Sequence, residues 1–209
     1  MTTYLTPAGF GQAEYVEKRS RFIARIWPVA DENEALEHIS EMRRQHYDAA
    51  HNVYAYIIRE NAIMRYSDDG EPSGTSGQPT LGVLRGEGIQ NVCCIVTRYF
   101  GGTLLGTGGL VRAYSVAAKM ALEQSGVSMV SRWKSAGIVC PYPRFERVKR
   151  LLEDHGAVIE NTDFAADVTF SILVREDEAE GFAASLTELT AGSVECAFDG
   201  ECFRAVRIK

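Results

Sequence analysis

Residues 91–109 read NVCCIVTRYFGGTLLGTGG, and this stretch organises the first half of the chain. Its first ten residues form a nearly continuous apolar run, which is typical of a central strand buried on both faces. The glycines after it lead into an amphipathic pattern that predicts a helix over 110–124, with Gly126 as its stop signal. The buried stripe of that helix is predicted at Leu110, Tyr114, Ala117 and Ala121.

Upstream of this stretch, the pattern predicts strands and one further helix. Residues 13–29 alternate between polar and apolar side chains, as a strand does. Asp31 is a predicted N-cap of a helix that runs through Met42. The apolar stripe of this helix is predicted at Ala35, Leu36, Ile39 and Met42. Two strands, Val53–Ile58 and Ala62–Tyr66, are expected next, joined by a turn.

The second half of the chain has a different order of predicted elements. Short apolar strands and amphipathic helices follow in the order β-α-β-β-α-β, which is the ferredoxin-like split motif. Asp199 and Gly200 form a hairpin signal, so the last strand is expected to fold back on itself. We therefore predict an α+β protein of two domains, residues 1–131 and 132–209.

Composition places the chain among ordinary globular proteins. Its 209 residues are 45% hydrophobic and 24% charged, and its opening residues lack the pattern of a secretion signal. No run approaches the roughly 18 apolar residues of a membrane span. The five cysteines are odd in number and include no C-x-x-C pair. We expect a reduced, cytoplasmic protein with no membrane segment, no structural metal and no cofactor.

The polar stretch SDDGEPSGTSGQPT, residues 67–80, contains no large apolar side chain. A polar loop of this length within a domain is uncommon unless it is functional or disordered. Its acidic residues Asp68, Asp69 and Glu71 are of the type that holds Mg²⁺ together with water and phosphate oxygens. Asp and Gly are also the usual turn residues, so a purely structural turn is the alternative.

The stretch GGTLLGTGG, residues 101–109, lies between the central strand and a helix. Free amides and the macrodipole at a helix start favour anions, so these glycines are candidates for binding a phosphate. No Lys-Ser or Lys-Thr follows, which excludes a P-loop. The alternative is that the glycines only permit positive φ and close packing.

Basic and aromatic residues flank the same glycines. Arg98 and Tyr99 end the apolar strand, and Arg112, Ser115 and Lys119 form one polar stripe on the helix. Together they could hold a phosphodiester backbone, with Tyr99 stacking on a base. The alternative is a solvated helix face with a Lys119–Glu123 pair.

His46 and His51 have no acidic partner at a recognisable catalytic spacing. The net charge of -6 disfavours non-specific nucleic-acid binding.

The segments SDDGEPSGTSGQPTLGVL (67–84) and NVCCIVTRYFGGTLLGTGGLVRAYS (91–115) resemble the signature of the IMPACT family. The resemblance spans about residues 15–125, and the remainder looks like the ferredoxin-like domain that bacterial members append. It implies that the first domain adopts the α/β sandwich found in a small-subunit ribosomal protein and in domain IV of elongation factor G. The signature loop is carried by Asp68, Asp69, Gly70, Glu71, Gly74, Gly77 and Pro79.

The resemblance also implies a role in or near translation. We therefore predict a protein that does not catalyse a reaction but binds RNA, the ribosome or a translation factor and modulates translation. The nucleic-acid or phosphate contacts are predicted at Arg98, Tyr99, Gly106, Thr107, Gly108, Gly109, Arg112 and Lys119. Two alternatives stay open: a nucleotide-binding enzyme that uses the glycines and Mg²⁺, and a module that binds only protein. The acidic residues of the loop are expected near Arg98 and Arg112, fixing one of them.

Overall fold

The computed structural model describes residues 3–209, and the chain divides into two compact units. The N-terminal unit comprises residues 4–129 together with 206–209. The C-terminal unit comprises residues 130–205, with residue 3. None of the helices in the described part of the chain is long and apolar enough to cross a membrane.

Within the described residues, the N-terminal unit contains six whole strands, of which all but the first form a five-stranded antiparallel sheet, and three helices. Its strands are β1 (Tyr4–Pro7), β2 (Gly11–Glu17), β3 (Ser20–Pro28), β4 (His51–Ile58), β5 (Ile63–Ser67) and β6 (Val92–Tyr99), and its helices are α1 (Glu32–Gln45), α2 (Gly77–Gly86) and α3 (Gly106–Ser125). The order in the sheet is β2-β3-β6-β4-β5. The prediction of a central strand is confirmed, because β6 lies in the middle and residues 92–98 are all buried.

Helices cover both faces of this sheet. On one face α2 and α3 pack over a core that includes Phe22, Val96 and Ala117. On the other face α1 packs over a smaller core that includes Ile39 and Ile95. Because neighbouring residues of a strand point to opposite faces, the apolar run of β6 supplies both cores at once.

The predicted helices are present, with some differences at their ends and faces. Asp31 is the N-cap of α1 and accepts a hydrogen bond from the Glu34 amide at 3.0 Å, as predicted. Leu36 is 47% exposed, so its place in the buried stripe was wrong. The buried positions of α1 are Ala35, Ile39 and Met42. One residue turns a helix by about 100°, which carries Leu36 from beside Ala35 to the edge of that stripe.

One helix of this unit was not predicted, and the start of another differs from the prediction. The sequence beyond residue 76 forms α2, so Gly77 and Pro79 of the signature loop lie in a helix. Helix α3 begins at Gly106, earlier than its apolar stripe indicated, and ends before Gly126, which has a φ of 71°. All four residues of its predicted stripe are buried.

The C-terminal unit has the predicted β-α-β-β-α-β order. Its elements are β7 (Val127–Cys140), which begins within the N-terminal unit, α4 (Phe145–Asp154), β8 (Val158–Phe164), β9 (Val168–Arg175), α5 (Ala179–Thr190) and β10 (Ala197–Arg207), whose last two residues belong to the N-terminal unit. The sheet order is β10-β7-β9-β8, the 4-1-3-2 arrangement of the ferredoxin-like fold. Its core contains Leu152, Phe170 and Phe182, each at most 1% exposed.

The predicted turn at Asp199 and Gly200 is wrong, because β10 runs through both residues as one strand of 11 residues. Ser135 on β7 donates its hydroxyl hydrogen bond to the Asp199 carboxylate at 2.8 Å. A Cβ at residue 200 would lie 2.7 Å from the Ser135 hydroxyl oxygen. Pairing with the long strand β7 therefore overrides the local turn preference.

Candidate functional site

Asp68 closes the acidic loop, here residues 67–76, onto the start of α2. Its carboxylate accepts hydrogen bonds from the backbone amides of Gly74 (2.8 Å), Ser76 (3.1 Å) and Gly77 (2.8 Å) and from the Ser76 hydroxyl (2.7 Å). Burial alone would raise the pKa of Asp68, but these four hydrogen bonds outweigh it and hold that pKa below its usual range. Asp68 therefore serves as the cap of α2, although it lies several residues before the helix.

Glu71 anchors the same loop inside the protein. One carboxylate oxygen accepts hydrogen bonds from Arg98 Nη1 at 2.6 Å and from the Tyr114 hydroxyl at 2.7 Å. All three residues are buried, with Glu71 8%, Arg98 5% and Tyr114 0% exposed. Burial, followed by the charge and hydrogen bond of Glu71, raises the pKa of Tyr114. The loop is thus joined to β6 and α3 by a buried, charge-assisted network.

His51, the first residue of β4, contacts the acidic loop at two points. Its Nδ1 lies 2.8 Å from the Asp69 carbonyl oxygen, to which it donates, and its Nε2 lies 3.7 Å from the second carboxylate oxygen of Glu71. The Asp69 carboxylate accepts from the Asn52 amide at 2.7 Å and from Arg43 at 2.8 Å. Sequence reasoning missed the His51–Glu71 pair, because spacing along the chain does not show which residues a fold brings together.

Arg98 was expected on the surface, and the structure corrects this, because its side chain is 6% exposed. Its Nη2 donates to the Ser20 hydroxyl at 3.3 Å, and that oxygen also accepts from the Gly101 amide at 3.1 Å. The guanidinium carbon lies 5.3 Å from the centre of the Phe22 ring and 5.6 Å from that of Phe100. Arg98 therefore links the acidic loop to the residues at the end of β6.

Gly101 begins the glycine loop, here residues 101–109, and contacts the turn between β2 and β3. A Cβ at residue 101 would lie 2.1 Å from the carbonyl carbon of Arg19 and 2.3 Å from the Ser20 amide nitrogen. No larger residue fits there without moving the backbone of the turn. This glycine is thus required for packing, as the structural alternative predicted.

Lys18 and Arg19 form this turn, and the sequence analysis did not single them out. Both are exposed, with φ values of 46° and 70°. Positive φ at both positions is typical of a two-residue type I′ hairpin turn, where Asn and Gly are the preferred residues. Within residues 3–209, neither side chain takes part in an ion pair. The alternation over residues 13–29 predicted strand through these positions, and the structure instead divides it here into β2 and β3. The turn was missed because neither residue type indicates left-handed backbone.

The start of α3 faces solvent. Gly106, Thr107 and Gly108 are exposed, and the N-cap Leu105 makes no side-chain hydrogen bond to the helix. Gly109 packs more closely, since a Cβ there would lie 3.1 Å from that of Leu105. The side chain of the N-cap residue therefore does not cap the first turn of this 20-residue helix, and that turn is accessible to solvent.

Of the predicted contacts on α3, Arg112 is exposed to solvent. Arg112 forms no ion pair with the acidic loop within the described residues, so of the two arginines expected beside the loop only Arg98 is paired with it. Lys119 Nζ lies 4.0 Å from Glu87, which replaces the expected partner Glu123.

Tyr99 is less available for stacking than predicted. Its hydroxyl donates to Asp48 at 3.2 Å and lies 2.9 Å from His46 Nδ1. The guanidinium carbon of Arg21 lies 5.9 Å from the ring centre. The neighbouring Phe100, by contrast, is 51% exposed.

The described residues contain no group of three His, Cys, Asp or Glu side chains arranged to hold a metal ion. Among the carboxylates of the acidic loop, Asp68 accepts from three amides and a hydroxyl, and Glu71 accepts from a guanidinium and a phenol. These oxygens face internal donors, which fits the structural role proposed for the loop as a turn.

Two family models match the chain. The Impact N-terminal domain matches residues 18–122, and a domain of unknown function (DUF1949) matches residues 138–193. The chain is 37% identical to IMPACT family member YvyE of Bacillus subtilis over 91% of this chain and 88% of that protein. It is 31% identical to IMPACT family member YigZ of Escherichia coli, over 93% and 97% of the two chains.

A solved structure described as a hypothetical protein is similar along nearly the whole chain. It is 30% identical, has a TM-score of 0.60, and the match covers 96% of this chain and 98% of the other. More distantly, Protein IMPACT of Rattus norvegicus is 27% identical over 58% of this chain and 39% of its own length.

Proposed function

The chain belongs to the IMPACT family, and on that premise we propose that it binds RNA or an RNA-containing component of the translation apparatus without catalysing a reaction. One observation carries this proposal. The first turn of α3 is exposed and uncapped by its N-cap residue, and Arg112 is exposed one turn further along the helix. Free amides at a helix start and a nearby cation are suited to a phosphate oxygen.

The acidic loop supports the same proposal indirectly. Its residues Asp68 and Glu71 would repel phosphate if they lay on the surface, but both are hydrogen-bonded to internal donors. The chain can therefore carry a net charge of -6 and still present a local surface that attracts anions.

The experiment is co-sedimentation of the purified protein with ribosomes and with total RNA across a salt series. Arg112→Ala is compared with Arg147→Ala, which removes the same charge from an exposed position of α4. Arg98→Ala is unsuitable as a test, because it would leave Glu71 buried without its cation. We expect association that weakens as salt rises, and a further loss in Arg112→Ala only.

No association at low salt would contradict the proposal. A second candidate function, binding to a protein partner, is favoured by a groove of about 740 Å³ lined by Tyr66, Pro79, Val83 and Val111. That function predicts association that survives nuclease treatment, depends weakly on salt and is lost in Val111→Asp.

A further inference from the structure

The turn formed by Lys18 and Arg19 places two exposed cations on backbone that neither residue adopts readily. Both φ values are positive, and the Asn-Gly pair would suit such a turn with less strain. Neither cation has an acidic partner within residues 3–209. Strained backbone that carries uncompensated charge is a reason to look for a ligand.

The turn lies at the end of β2 that faces the start of α3. A Cβ at Gly11, the first residue of β2, would lie 2.4 Å from the Ala121 carbonyl oxygen near the end of α3. Further along β2, the ring centre of Tyr15 lies 6.4 Å from that of Phe22, which in turn lies 5.1 Å from that of Tyr114 in the first half of α3. Strand β2 therefore runs antiparallel to α3, and the turn that follows it lies at the positive end of the helix.

Hydrogen bonds from the buried network hold the turn in place. Arg98, paired with Glu71, donates to the Ser20 hydroxyl, and Ser20 also accepts from the Gly101 amide. Because Gly101 packs against the carbonyl of Arg19, the turn and the glycine loop form one fixed surface. Because these residues are already held in place, little of their conformational entropy is lost when a ligand binds.

Phe100 adds an aromatic face to this surface. It is 51% exposed and immediately precedes Gly101, which packs against the backbone of Arg19 in the turn. The buried Arg98 guanidinium lies 5.6 Å from its ring centre and is paired with Glu71, so the cations left for a ligand are Lys18 and Arg19. Cations beside an exposed aromatic ring are the combination that binds single-stranded nucleic acid, with phosphates on the cations and a base on the ring. A duplex keeps its bases stacked and could not use the ring.

We propose that Lys18, Arg19 and Phe100 form a binding surface for single-stranded RNA, in which the two cations contact successive phosphates and a base stacks on Phe100. This inference rests on the proposed function and names residues that extend it. The two cations contact the phosphates of the RNA, so binding depends little on the base sequence.

The test uses the substitution pair Lys18→Asn and Arg19→Gly in the full chain. It removes both charges and installs the residues that the turn geometry prefers, so the thermal midpoint is expected to stay the same or rise. The control pair Arg147→Ala and Arg150→Ala removes two charges from exposed positions of α4. The probe is a fluorescein-labelled oligouridine, followed by anisotropy across a salt series.

We expect the turn variant to lose about tenfold or more in affinity at low salt, with the control pair unchanged. Since each contact to a single strand contributes about 0.7 to the slope of log K against log salt, the slope should become shallower by roughly 1.4. Phe100→Ala should weaken binding with the slope unchanged, because stacking releases no counterions.

The outcomes separate the two proposals. If the wild type does not bind the probe, this inference fails, and co-sedimentation with ribosomes and total RNA decides separately whether the RNA function fails with it. If the wild type binds and the turn variant binds equally, with the same slope, this surface is overturned and the RNA function stands.

A footprint of the unmodified protein provides a second readout. RNA should slow acetylation of Lys18 but leave Lys149 of α4 unaffected. Equal acetylation of Lys18 with and without RNA would overturn the inference independently of any variant.

Discussion

The acidic loop and the glycine loop are both glycine-rich segments of the N-terminal unit, yet they direct their polar groups in opposite directions. Asp68 and Glu71 of the acidic loop face inward onto amides, a guanidinium and a phenol. The glycine loop leaves Gly106, Thr107 and Gly108 exposed to solvent. Similar composition thus serves as internal scaffold in one loop and as open surface in the other.

The comparison also shows how one loop depends on the other. Arg98 is paired with the Glu71 carboxylate and donates a hydrogen bond to the Ser20 hydroxyl. The Ser20 oxygen also accepts a hydrogen bond from the Gly101 amide. The acidic loop would therefore support the exposed surface without touching a ligand. Variants in the two loops should consequently differ in which property they change, stability or binding.

The largest effect is expected for Glu71→Ala. Removing this carboxylate leaves the Arg98 cation and the Tyr114 hydroxyl buried without their partner, which should lower the free energy of unfolding by about 3–5 kcal/mol. Urea unfolding measures it, with Glu37→Ala on the exposed side of α1 as the control. A loss below about 1 kcal/mol would show that the network does not hold the loop.

Gly101→Ala is expected to have a smaller effect on stability. The added Cβ would overlap backbone atoms of Arg19 and Ser20, so the turn must shift, at a cost of about 1–3 kcal/mol. Gly108→Ala is the matched control, since no atom lies within 4 Å of its Cβ position. It should leave stability unchanged or raise it by up to about 1 kcal/mol. Equal effects at the two positions would remove the distinction between packed and open glycines.

Asp68→Asn should give the smallest change, and one that depends on pH. The pKa of Asp68 is lowered in the folded protein, so its stabilisation is complete above the usual pKa of 3.8 and is lost as pH falls through the folded value. At pH 7 the Asn side chain places an NH₂ group where a carboxylate oxygen accepts from the Gly74 amide, which should cost about 1 kcal/mol. Unfolding free energies of the two proteins should converge at low pH. A difference that stays constant with pH would exclude the charged form of Asp68 as the cap.

The fold was predictable to a large extent, because its main elements follow from local patterns. The apolar run of β6, the stripe of α3 and the alternation of β9 each have a periodicity that admits one structure. The exceptions have a physical cause. The turn predicted at Asp199 and Gly200 is absent, because pairing between β10 and β7 outweighs a local preference.

The candidate site was less predictable. The association of the acidic loop with Arg98 followed from the resemblance, and its geometry confirms the pairing with Glu71. Arg98 was predicted to be exposed and Tyr99 to stack on a base, and the structure supports neither prediction. Both depend on which side of β6 the residue faces and on which residues cover it. The Lys18–Arg19 turn was missed, because its neighbour Gly101 lies far along the chain.

The amino-acid sequence by itself determined the α+β class, the order of elements and membership of the IMPACT family, since these depend on residue types and spacings along the chain. Only the tertiary structure decided which charges lie inside and which meet solvent. That choice depends on long-range packing, which buries Arg98 against Glu71 and leaves Lys18 and Arg19 exposed beside the glycine loop. A charge is stable inside only where the fold brings it a partner, and no local pattern records that partner.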